Sequence, residues 1–503
     1  MPPPPSHSTR SPSRAHRARP TPVRGLLVAL LLLLPAAGLV AWPAAGEKPD
    51  DEAGAAEEGP LVPEGDRPDL ILIYTGRVRG FVEPCGCPRN PAGGLSRRAA
   101  YLDLLADRYP RASIVLAETG DFAADPDEPG RLKSSTYVQG LDEFGYDVVG
   151  LGERELTGGL DLFGDLFRKK GFPLISASFT LRGSAEPFVE PYVVREVALR
   201  RGRSIRIGFI SLTSHNSAFA SVAADGRAVV TRDPVAQARS WLPRVKAESD
   251  LVVLLANLSG REVRDVVEAV PGAIDLVLAA WSDRISPRAL EEIGGVPTLY
   301  SGDQGRRLGE VRIFLDDHKV SRMIAHHIHL TRRYPEVPKY QRLIDGMLTK
   351  VNEMMKVRAL AEAKSAPASA GSGGGATDEA TRGDRFVGAA RCLTCHDDAY
   401  RVWEHSRHAH AMQTLVGSNQ DYNPECVVCH NTGFGEPNGF RSTTATPELA
   451  NVQCEACHGH GSGHLRDSSA TYGAVAPRTC FACHTRENSP EFSFFKYWNT
   501  IKH

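Results

Sequence analysis

The 503-residue sequence has no excess of charge of either sign, with 59 Lys and Arg against 60 Asp and Glu. It therefore lacks the basic surplus typical of nucleic-acid-binding proteins and the acidic surplus of a solvating tail. Cysteine is also scarce: ten residues are too few for a disulfide-dense scaffold of this length. The 42% hydrophobic and 24% charged residues are typical of folded globular domains, and the length allows about three of them.

The first 24 residues contain no acidic side chain but five arginines, and an uncharged, leucine-rich run follows from 25 to 46. A positive flank before an apolar run is typical of a secretory signal or an N-terminal membrane anchor, and this run is long enough to span a bilayer. Residues 1–46 are therefore predicted to be a signal or anchor, with an anchor favoured. The rest of the chain would then be exported to the periplasmic side. Residues 47–67 are acidic and are predicted to be a solvated spacer.

Residues 68–335 alternate short β-rich apolar runs with helical patterns. Continuous runs such as LVVLLA at 251–256 are typical of strands covered on both faces. The pattern predicts an α/β layered domain. Its expected strands cover residues 70–75, 113–117, 147–151, 173–177, 205–212, 251–256, 274–279, 298–300, 311–315 and 323–330.

Two further segments separate this domain from the C-terminal region. Residues 336–364 carry apolar side chains at helical spacing, which predicts one amphipathic helix. Residues 365–384 are rich in Gly, Ser and Ala and are predicted to be a flexible linker with an average span of about 25 Å. Residues 385–503 then form a third unit.

Four C-x-x-C-H motifs lie in this third unit, and this motif is the attachment signature of c-type haem. The predicted thioether cysteines are Cys392, Cys395, Cys426, Cys429, Cys454, Cys457, Cys480 and Cys483. The predicted proximal iron ligands are His396, His430, His458 and His484. A redox dithiol or a zinc site does not require His directly after every cysteine pair. At about 30 residues per haem the haems themselves must form most of the core, so short helices and almost no strands are expected.

The sixth iron ligands are expected among the remaining histidines of this unit. The candidates chosen are His408, His410, His464 and His503, with His405 and His460 as reserves. Bis-His ligation suits electron transfer, whereas an open position permits ligand chemistry.

The four motifs, together with the final YWNTIKH, make residues 385–503 resemble the tetrahaem cytochrome c family related to the cytochrome that accepts electrons from hydroxylamine oxidoreductase. The resemblance implies a periplasmic electron carrier with mostly bis-His haems and one that is five-coordinate. It does not imply hydroxylamine as the upstream electron source.

The α/β region resembles the calcineurin-like metallophosphatases, in particular the periplasmic 5′-nucleotidases, but most of the family's metal ligands are replaced. The family's T-N-D-x-H-G reads TGRVRG at 75–80, its G-N-H-E reads GERE at 152–155, and its final G-H-x-H reads AWSD at 280–283. Its G-D survives at 120–121. The degenerate site is therefore expected to comprise Arg77, Arg79, Asp121, Glu153, Arg154, Asn257 and Asp283.

Arginines at positions of metal ligands oppose the binding of two dications, so no dinuclear metal centre is expected. Two interpretations of Arg77, Arg79 and Arg154 remain open. In the first, the three arginines bind an anion. In the second, they form a structural salt-bridge cluster with Glu118, Asp121, Glu153 and Glu155. The structural reading is favoured.

Cys85 and Cys87 form a C-G-C motif just before GGLSRR at 93–98. Such a pair can form a strained, easily reduced disulfide, bind a soft metal or remain passive. The C-G-C, GGLxRR and GEREL motifs together resemble a subgroup of phosphatase-like proteins, for which a redox role of the cysteine pair is implied. The pair is therefore a candidate redox pair.

These observations predict an exported multihaem c-type cytochrome that transfers electrons through four covalent haems and carries an α/β domain without hydrolase activity. The alternatives are a haem-fed redox enzyme using Cys85 and Cys87, a divergent metal-dependent nucleotidase, and an α/β domain that only docks the cytochrome to a partner. The expected partners are periplasmic or membrane redox proteins, the cytochrome c maturation machinery and, through the N-terminus, the membrane. No nucleic-acid partner is expected.

Overall fold

The structure is a computed structural model that describes residues 60–84, 91–168, 170–199, 203–216, 218–280, 290–365, 384–469, 472–485, 488–489 and 492–503. The predicted signal or anchor, Cys85, Cys87, Asp283 and most of the predicted linker lie outside the described residues. Among the residues that are described, none of the helices combines the length and the apolar character needed to cross a membrane.

Two six-stranded sheets and one three-stranded sheet form the α/β domain. The first sheet has the order β15-β14-β1-β2-β3-β4, the second β12-β13-β11-β10-β7-β6, and the small one β5-β9-β8. The strands are β1 (Leu70–Thr75), β2 (Ile114–Glu118), β3 (Val148–Gly150), β4 (Leu174–Ile175), β5 (Phe179–Leu181), β6 (Tyr192–Ala198), β7 (Ser204–Thr213), β8 (Ser221–Val222), β9 (Ala228–Thr231), β10 (Leu251–Asn257), β11 (Leu276–Ala279), β12 (Leu290–Ile293), β13 (Val296–Tyr300), β14 (Arg307–Asp316) and β15 (Lys319–His329).

Parallel strands occupy the centre of both large sheets, with β1 through β4 parallel in one and β7, β10, β11 and β13 parallel in the other. All residues of β1 and β10 are buried, as their continuous apolar sequences predict. The two sheets pack face to face through side chains such as Leu72 and Phe209. The carboxyl ends of these strands therefore converge on one edge of the domain.

Helices cover the outer faces of the two sheets: α1 (Leu95–Arg108), α2 (Glu128–Phe144), α3 (Leu160–Phe167), α4 (Pro234–Glu248), α5 (Gly260–Ala269) and α6 (Pro338–Ser365). Helix α2 begins after the N-cap Asp127, whose side chain accepts the Gly130 N–H, and it ends at Gly145 in the left-handed conformation. Helix α6 buries Tyr340, Ile344, Met347 and Val351 against the first sheet's helix layer. It covers the segment predicted to be amphipathic.

The C-terminal region is built from short helices: α7 (Asp397–Glu404), α8 (Ala411–Gly417), α9 (Pro424–Val427), α10 (Cys454–His458), α11 (Ser462–Arg466), α12 (Pro477–Phe481) and α13 (Phe494–Trp498). Within the described residues after 384, one isolated bridge between Asn431 and Ala450 is the only β pairing. The apolar core is small, with Met412, Phe440 and Leu449 among its members. The expected fold class, an α/β layered domain followed by a small mostly helical domain, is confirmed.

Candidate functional site

A cluster of charged side chains lies at the carboxyl ends of the central strands. Arg77 and Arg79 follow β1, Asp121 follows β2, and Glu153 and Arg154 follow β3. Backbone hydrogen bonds join two of these loops, from Arg77 N to Gly120 O at 2.9 Å and from Arg79 N to Asp121 O at 3.3 Å. The structure thus brings together the strand-end residues that the sequence predicted to be neighbours.

Three residues of this cluster adopt left-handed backbone conformations, with φ of 50° at Arg77, 54° at Arg79 and 56° at Asp121. Such conformations cost non-glycine residues about 1–3 kcal/mol each and persist only where the surrounding structure imposes them. The hydrogen bonds between the two loops impose them here. The side chains are therefore held in defined positions rather than on a freely moving loop.

Each of the three predicted arginines is near a carboxylate. Arg79 Nε lies 3.5 Å and Arg77 Nε 3.9 Å from Asp303 Oδ1, while Arg154 Nη2 lies 2.8 Å from Asp125 Oδ1. Asp303 and Asp125 were not expected partners. They come from loops after β13 and before α2, and only the fold brings those loops to this edge.

The predicted pairing of these arginines with Glu118 is wrong. Glu118 lies at the end of β2 but points into the core, where its Oε2 accepts hydrogen bonds from Thr75 Oγ1 at 2.5 Å and Tyr137 Oη at 2.6 Å. The positive charge nearest to it is the buried Arg98 guanidinium, which donates to Tyr137 Oη at 2.9 Å. Alternation along the strand explains the error, because successive side chains point to opposite faces.

Two carboxylates belong to the same cluster, of which Glu155 is buried and Asp121 is half-buried. Glu155 accepts three backbone hydrogen bonds, from Asp121 N at 2.9 Å, Ala123 N at 2.9 Å and Gly152 N at 2.8 Å, so it holds the two loops together. Burial raises the pKa of Glu155 to about 7, with Asp121 adding a like charge. Burial also raises the pKa of Asp121, although Arg154 and Arg79 oppose the shift.

The second sheet contributes His215 and Asn216, which the sequence did not single out, and Asn257, which it did. Asn216 Nδ2 donates to Glu153 Oε2 at 3.3 Å, and His215 lowers the pKa of Glu153 against the effect of burial. Asn257 at the end of β10 donates to Thr119 O at 2.5 Å. Its buried Oδ1 has no hydrogen-bond partner within the part of the chain that the structure describes. Asn257 thus connects the end of β10 to the loop that follows β2.

Three pairs of imidazoles face one another in the C-terminal region. The ring centroids are 6.0 Å apart for His396 and His464, 6.1 Å for His408 and His484, and 5.7 Å for His458 and His503. Two imidazoles on opposite sides of one metal have centroids about 6 Å apart, since each metal–nitrogen bond is about 2 Å and each centroid lies about 1 Å behind its nitrogen. Each pair joins a C-x-x-C-H histidine to a distal candidate, so these residues fit the ligation of an iron between them.

His430, the histidine of the second motif, has no imidazole facing it among the described residues. Its Nδ1 lies 2.7 Å from the carbonyl oxygen of Ala411. His410, the fourth distal candidate, is likewise not opposite any C-x-x-C-H histidine in the described region. Among the described residues, the second motif therefore differs from the other three in having no second imidazole beside its histidine.

The ring nitrogens of the proximal histidines are oriented by hydrogen bonds. His458 Nδ1 lies 2.6 Å from Gly473 O, and His484 Nδ1 lies 3.0 Å from Ser489 Oγ. The Gly473 carbonyl can only accept, so the His458 Nδ1 carries the proton and its Nε2 is left available to a metal, whereas the Ser489 hydroxyl can donate or accept. Tyr472 was missed by the sequence analysis, and its ring lies 4.8 Å from that of His464 and 6.1 Å from that of His458.

The two reserve histidines have other partners. His405 Nδ1 lies 2.8 Å from Arg401 O, and His460 stacks on Phe386 with ring centroids 4.1 Å apart while its Nε2 lies 3.7 Å from Glu436. His405 thus caps the end of α7, and His460 packs against a neighbouring aromatic ring.

Comparisons with known proteins separate the two parts of the chain. Residues 391–459 match the family described as cytochrome c554 and c-prime, a segment that contains the first three C-x-x-C-H motifs and ends before the fourth. Cytochrome c-554 of Nitrosomonas europaea is 30% identical over 141 residues, which cover 21% of this chain and 60% of that protein. The C-terminal region is therefore similar to a c-type cytochrome, which implies covalently bound haem.

The α/β region is similar to nucleotidases. The 2′,3′-cyclic-nucleotide 2′-phosphodiesterase/3′-nucleotidase of Haemophilus influenzae is 26% identical over 291 residues, covering 50% of this chain and 43% of that protein. Among solved structures, the Thermus thermophilus sulfate thiohydrolase SoxB superposes with a TM-score of 0.49 at 14% identity, covering 57% of this chain and 62% of that one. The chain thus spans roughly half the length of the curated relatives it matches.

Proposed function

We propose that this protein is an exported multihaem c-type cytochrome that transfers electrons through four covalently attached haems. The observation that carries the proposal is the set of three imidazole pairs with centroids 5.7–6.1 Å apart, each including a C-x-x-C-H histidine. Haem iron between such pairs supplies one-electron oxidation and reduction. The fourth motif lies outside the matched family segment, but His484 of that motif faces His408 as the other pairs do.

The second motif has a different role in this proposal. Because His430 is not opposed by another imidazole in the described region, we assign the open axial position to the haem attached at Cys426 and Cys429. His396/His464, His458/His503 and His484/His408 then provide bis-His ligation for the other three. His410 is not an axial ligand in this assignment.

We further propose that the α/β domain is not a working hydrolase. Arg77, Arg79 and Arg154 stand at the positions of metal ligands and bring positive charge to the strand ends, where the carboxylates of Asp303 and Asp125 already neutralise them. A two-metal site requires clustered carboxylate and imidazole ligands.

A haem-fed oxidoreductase that uses Cys85 and Cys87 is the second candidate function. The supporting observation concerns Glu83, two residues before Cys85, whose carboxylate interacts electrostatically with Glu425, the residue before Cys426. Lys133, which also acts on the pKa of Glu83, lies 2.6 Å from Glu425 Oε2, and this contact joins the α/β domain to the second haem-attachment motif.

Location and partners follow from the same proposal. Covalent haem attachment requires the cytochrome c maturation machinery, and the N-terminal run would place the protein on the periplasmic side with residues 25–46 as a membrane anchor. Electron donors and acceptors are then periplasmic or membrane redox proteins.

Anaerobic reductive titration of the purified holoprotein tests the proposal. Stepwise addition of a one-electron reductant, followed in the haem absorption bands, should consume four equivalents per chain. A second titration that also counts free thiols distinguishes the oxidoreductase from a simple electron carrier. The oxidoreductase should take up two more reducing equivalents per chain, at Cys85 and Cys87. Fewer than three haem equivalents would contradict the electron-transfer assignment.

A further inference from the structure

The boundary between the α/β domain and the C-terminal region contains buried polar side chains of the α/β domain. Lys133 of α2 has a side chain that is only 4% exposed, and its Nζ lies 2.6 Å from Glu425 Oε2. A lysine is rarely buried without a counter-charge, because removing its ammonium from water is costly. Within the described part of the chain, Glu425 provides the only hydrogen bond to this ammonium group.

Asn352 of α6 makes a second polar contact at this boundary. It is 6% exposed. Its Nδ2 donates to Asn419 Oδ1 at 3.0 Å and to Asp421 Oδ1 at 3.2 Å, and its Oδ1 accepts the Tyr422 N–H at 2.9 Å. All these partners come from residues 419–422, so the side chain is satisfied across the boundary and not by its own helix.

Glu83 is the third member of this group. Its Oε2 is buried and has no hydrogen-bond partner among the described residues. The charges that act on it are Lys133, which stabilises its anion, and Glu425, which opposes it. Burial raises the pKa of Glu83, and the neighbouring Lys133–Glu425 pair, whose Nζ and Oε2 atoms are 2.6 Å apart, acts on it with opposite signs.

We propose that Glu83, Lys133 and Asn352 form a docking surface of the α/β domain for residues 419–425, which fixes the second haem-attachment motif against this domain. The docked segment runs directly into α9, which carries Cys426. The motif held in this way is the one whose His430 lacks an opposing imidazole. The docking thus connects the α/β domain to the part of the cytochrome where we place the open axial position, and in this respect it extends the proposed function.

Hydrogen exchange of the holoprotein, followed by mass spectrometry, tests the docking directly. Asn352→Ala removes the acceptor of the Tyr422 N–H, so exchange in peptides from 419–430 should become roughly fivefold faster or more. Lys133→Glu places like charges against Glu425 and should have the same effect. Peptides around the first and fourth motifs should exchange as in the unaltered protein.

Two further variants make the result specific. Lys339→Met breaks a more exposed Lys–Glu pair within the α/β domain, in which Lys339 Nζ lies 2.7 Å from Glu143 Oε2, and exchange at 419–430 should not change. The swap Lys133→Glu/Glu425→Lys should restore slow exchange, which a misfolded protein would not. Unchanged exchange at 419–430 in both Asn352→Ala and Lys133→Glu, or equal acceleration at all four motifs, would overturn the docking proposal. Haem content measured on the same samples reports on the proposed function separately.

Discussion

Replacing His503 by alanine should convert one low-spin haem into a high-spin haem. In our assignment His503 is the distal ligand opposite His458, with ring centroids 5.7 Å apart. Alanine cannot ligate iron, and the other described histidines near this pair already have partners: His464 faces His396, and His460 packs on Phe386. The change therefore leaves His458 as the only imidazole ligand at the third motif.

The expected size of the effect follows from how many of the four C-x-x-C-H histidines are paired with a second imidazole. One of four proximal histidines, His430, lacks an opposing imidazole in the described structure, so the oxidised protein should contain one high-spin haem for three low-spin haems. His503→Ala should change this ratio to two and two. The high-spin ferric signal should thus double in integrated intensity, with no loss of covalent haem because the four cysteine pairs are intact.

Electron paramagnetic resonance of the oxidised protein, integrated against a spin standard, measures this ratio. His410→Ala provides the matched control. The sequence made His410 a candidate distal iron ligand like His503, but it does not face a C-x-x-C-H histidine among the described residues. An unchanged high-spin signal in His503→Ala, or a doubled signal in His410→Ala, would refute the assignment of the axial ligands.

Three further predictions concern the α/β domain. First, the purified protein should hydrolyse neither nucleotides nor bis-aryl phosphates above background with added Mn²⁺, Zn²⁺ or Mg²⁺, and a metal-dependent rate that Asp121→Ala abolishes would contradict this. Second, burial raises the pKa of Glu83 to about 7, so the native state binds its proton more tightly than the unfolded chain, and the free energy of unfolding should fall by about 1–3 kcal/mol as pH rises from about 4.5 to 7. Denaturant titrations of Glu83→Gln should lack this part of the pH dependence, and an identical slope in both proteins would show that Glu83 is not responsible. Third, Cys85 and Cys87 should exchange electrons with the haems, so that free thiols appear when the haems are reduced anaerobically. If the thiol count stays constant while a Cys85→Ser/Cys87→Ser variant reduces acceptors at the unaltered rate, the pair is not part of the electron path.

The central strands were predictable from sequence because they are apolar without interruption. The run LILIYT predicts β1 with its observed ends. The predictions for β2 and β7 differ from the structure by one residue at both ends, and that for β10 differs by one residue at its C-terminal end. Strand β6 was missed, since its sequence YVVREVA lies at a sheet edge and is mostly half-buried, which leaves no continuous apolar run. Hydrophobic pattern thus identifies the continuously apolar strands at the sheet centres, whereas edge strands are found unevenly: the segments 173–177 and 323–330 overlap β4 and β15, but β6 has no such signal.

The candidate sites were predictable only where chain order determines proximity. Arg77, Asp121 and Arg154 follow adjacent parallel strands, so the topology brings them together. Asp303 approaches the arginines from a loop after β13, and neither its sequence neighbourhood nor its distance along the chain indicates this. The contact between Lys133 and Glu425 joins residues 292 positions apart and depends entirely on tertiary packing.

The distal histidines illustrate a limit of motif reading. His408 and His410 lie two residues apart in one short turn, Arg407–His410, where neighbouring side chains point in different directions. Sequence alone could not choose between them, and the structure places only His408 opposite a C-x-x-C-H histidine in the described region.

The number of covalent haems per chain shows whether every C-x-x-C-H motif is used for haem attachment. Pyridine haemochrome analysis of the denatured protein, combined with its intact mass after expression in a host with a functional cytochrome c maturation system, counts the thioether-linked groups. We expect four haems per chain, one for each C-x-x-C-H motif, including the fourth motif beyond residue 459. Two or fewer haems would contradict it.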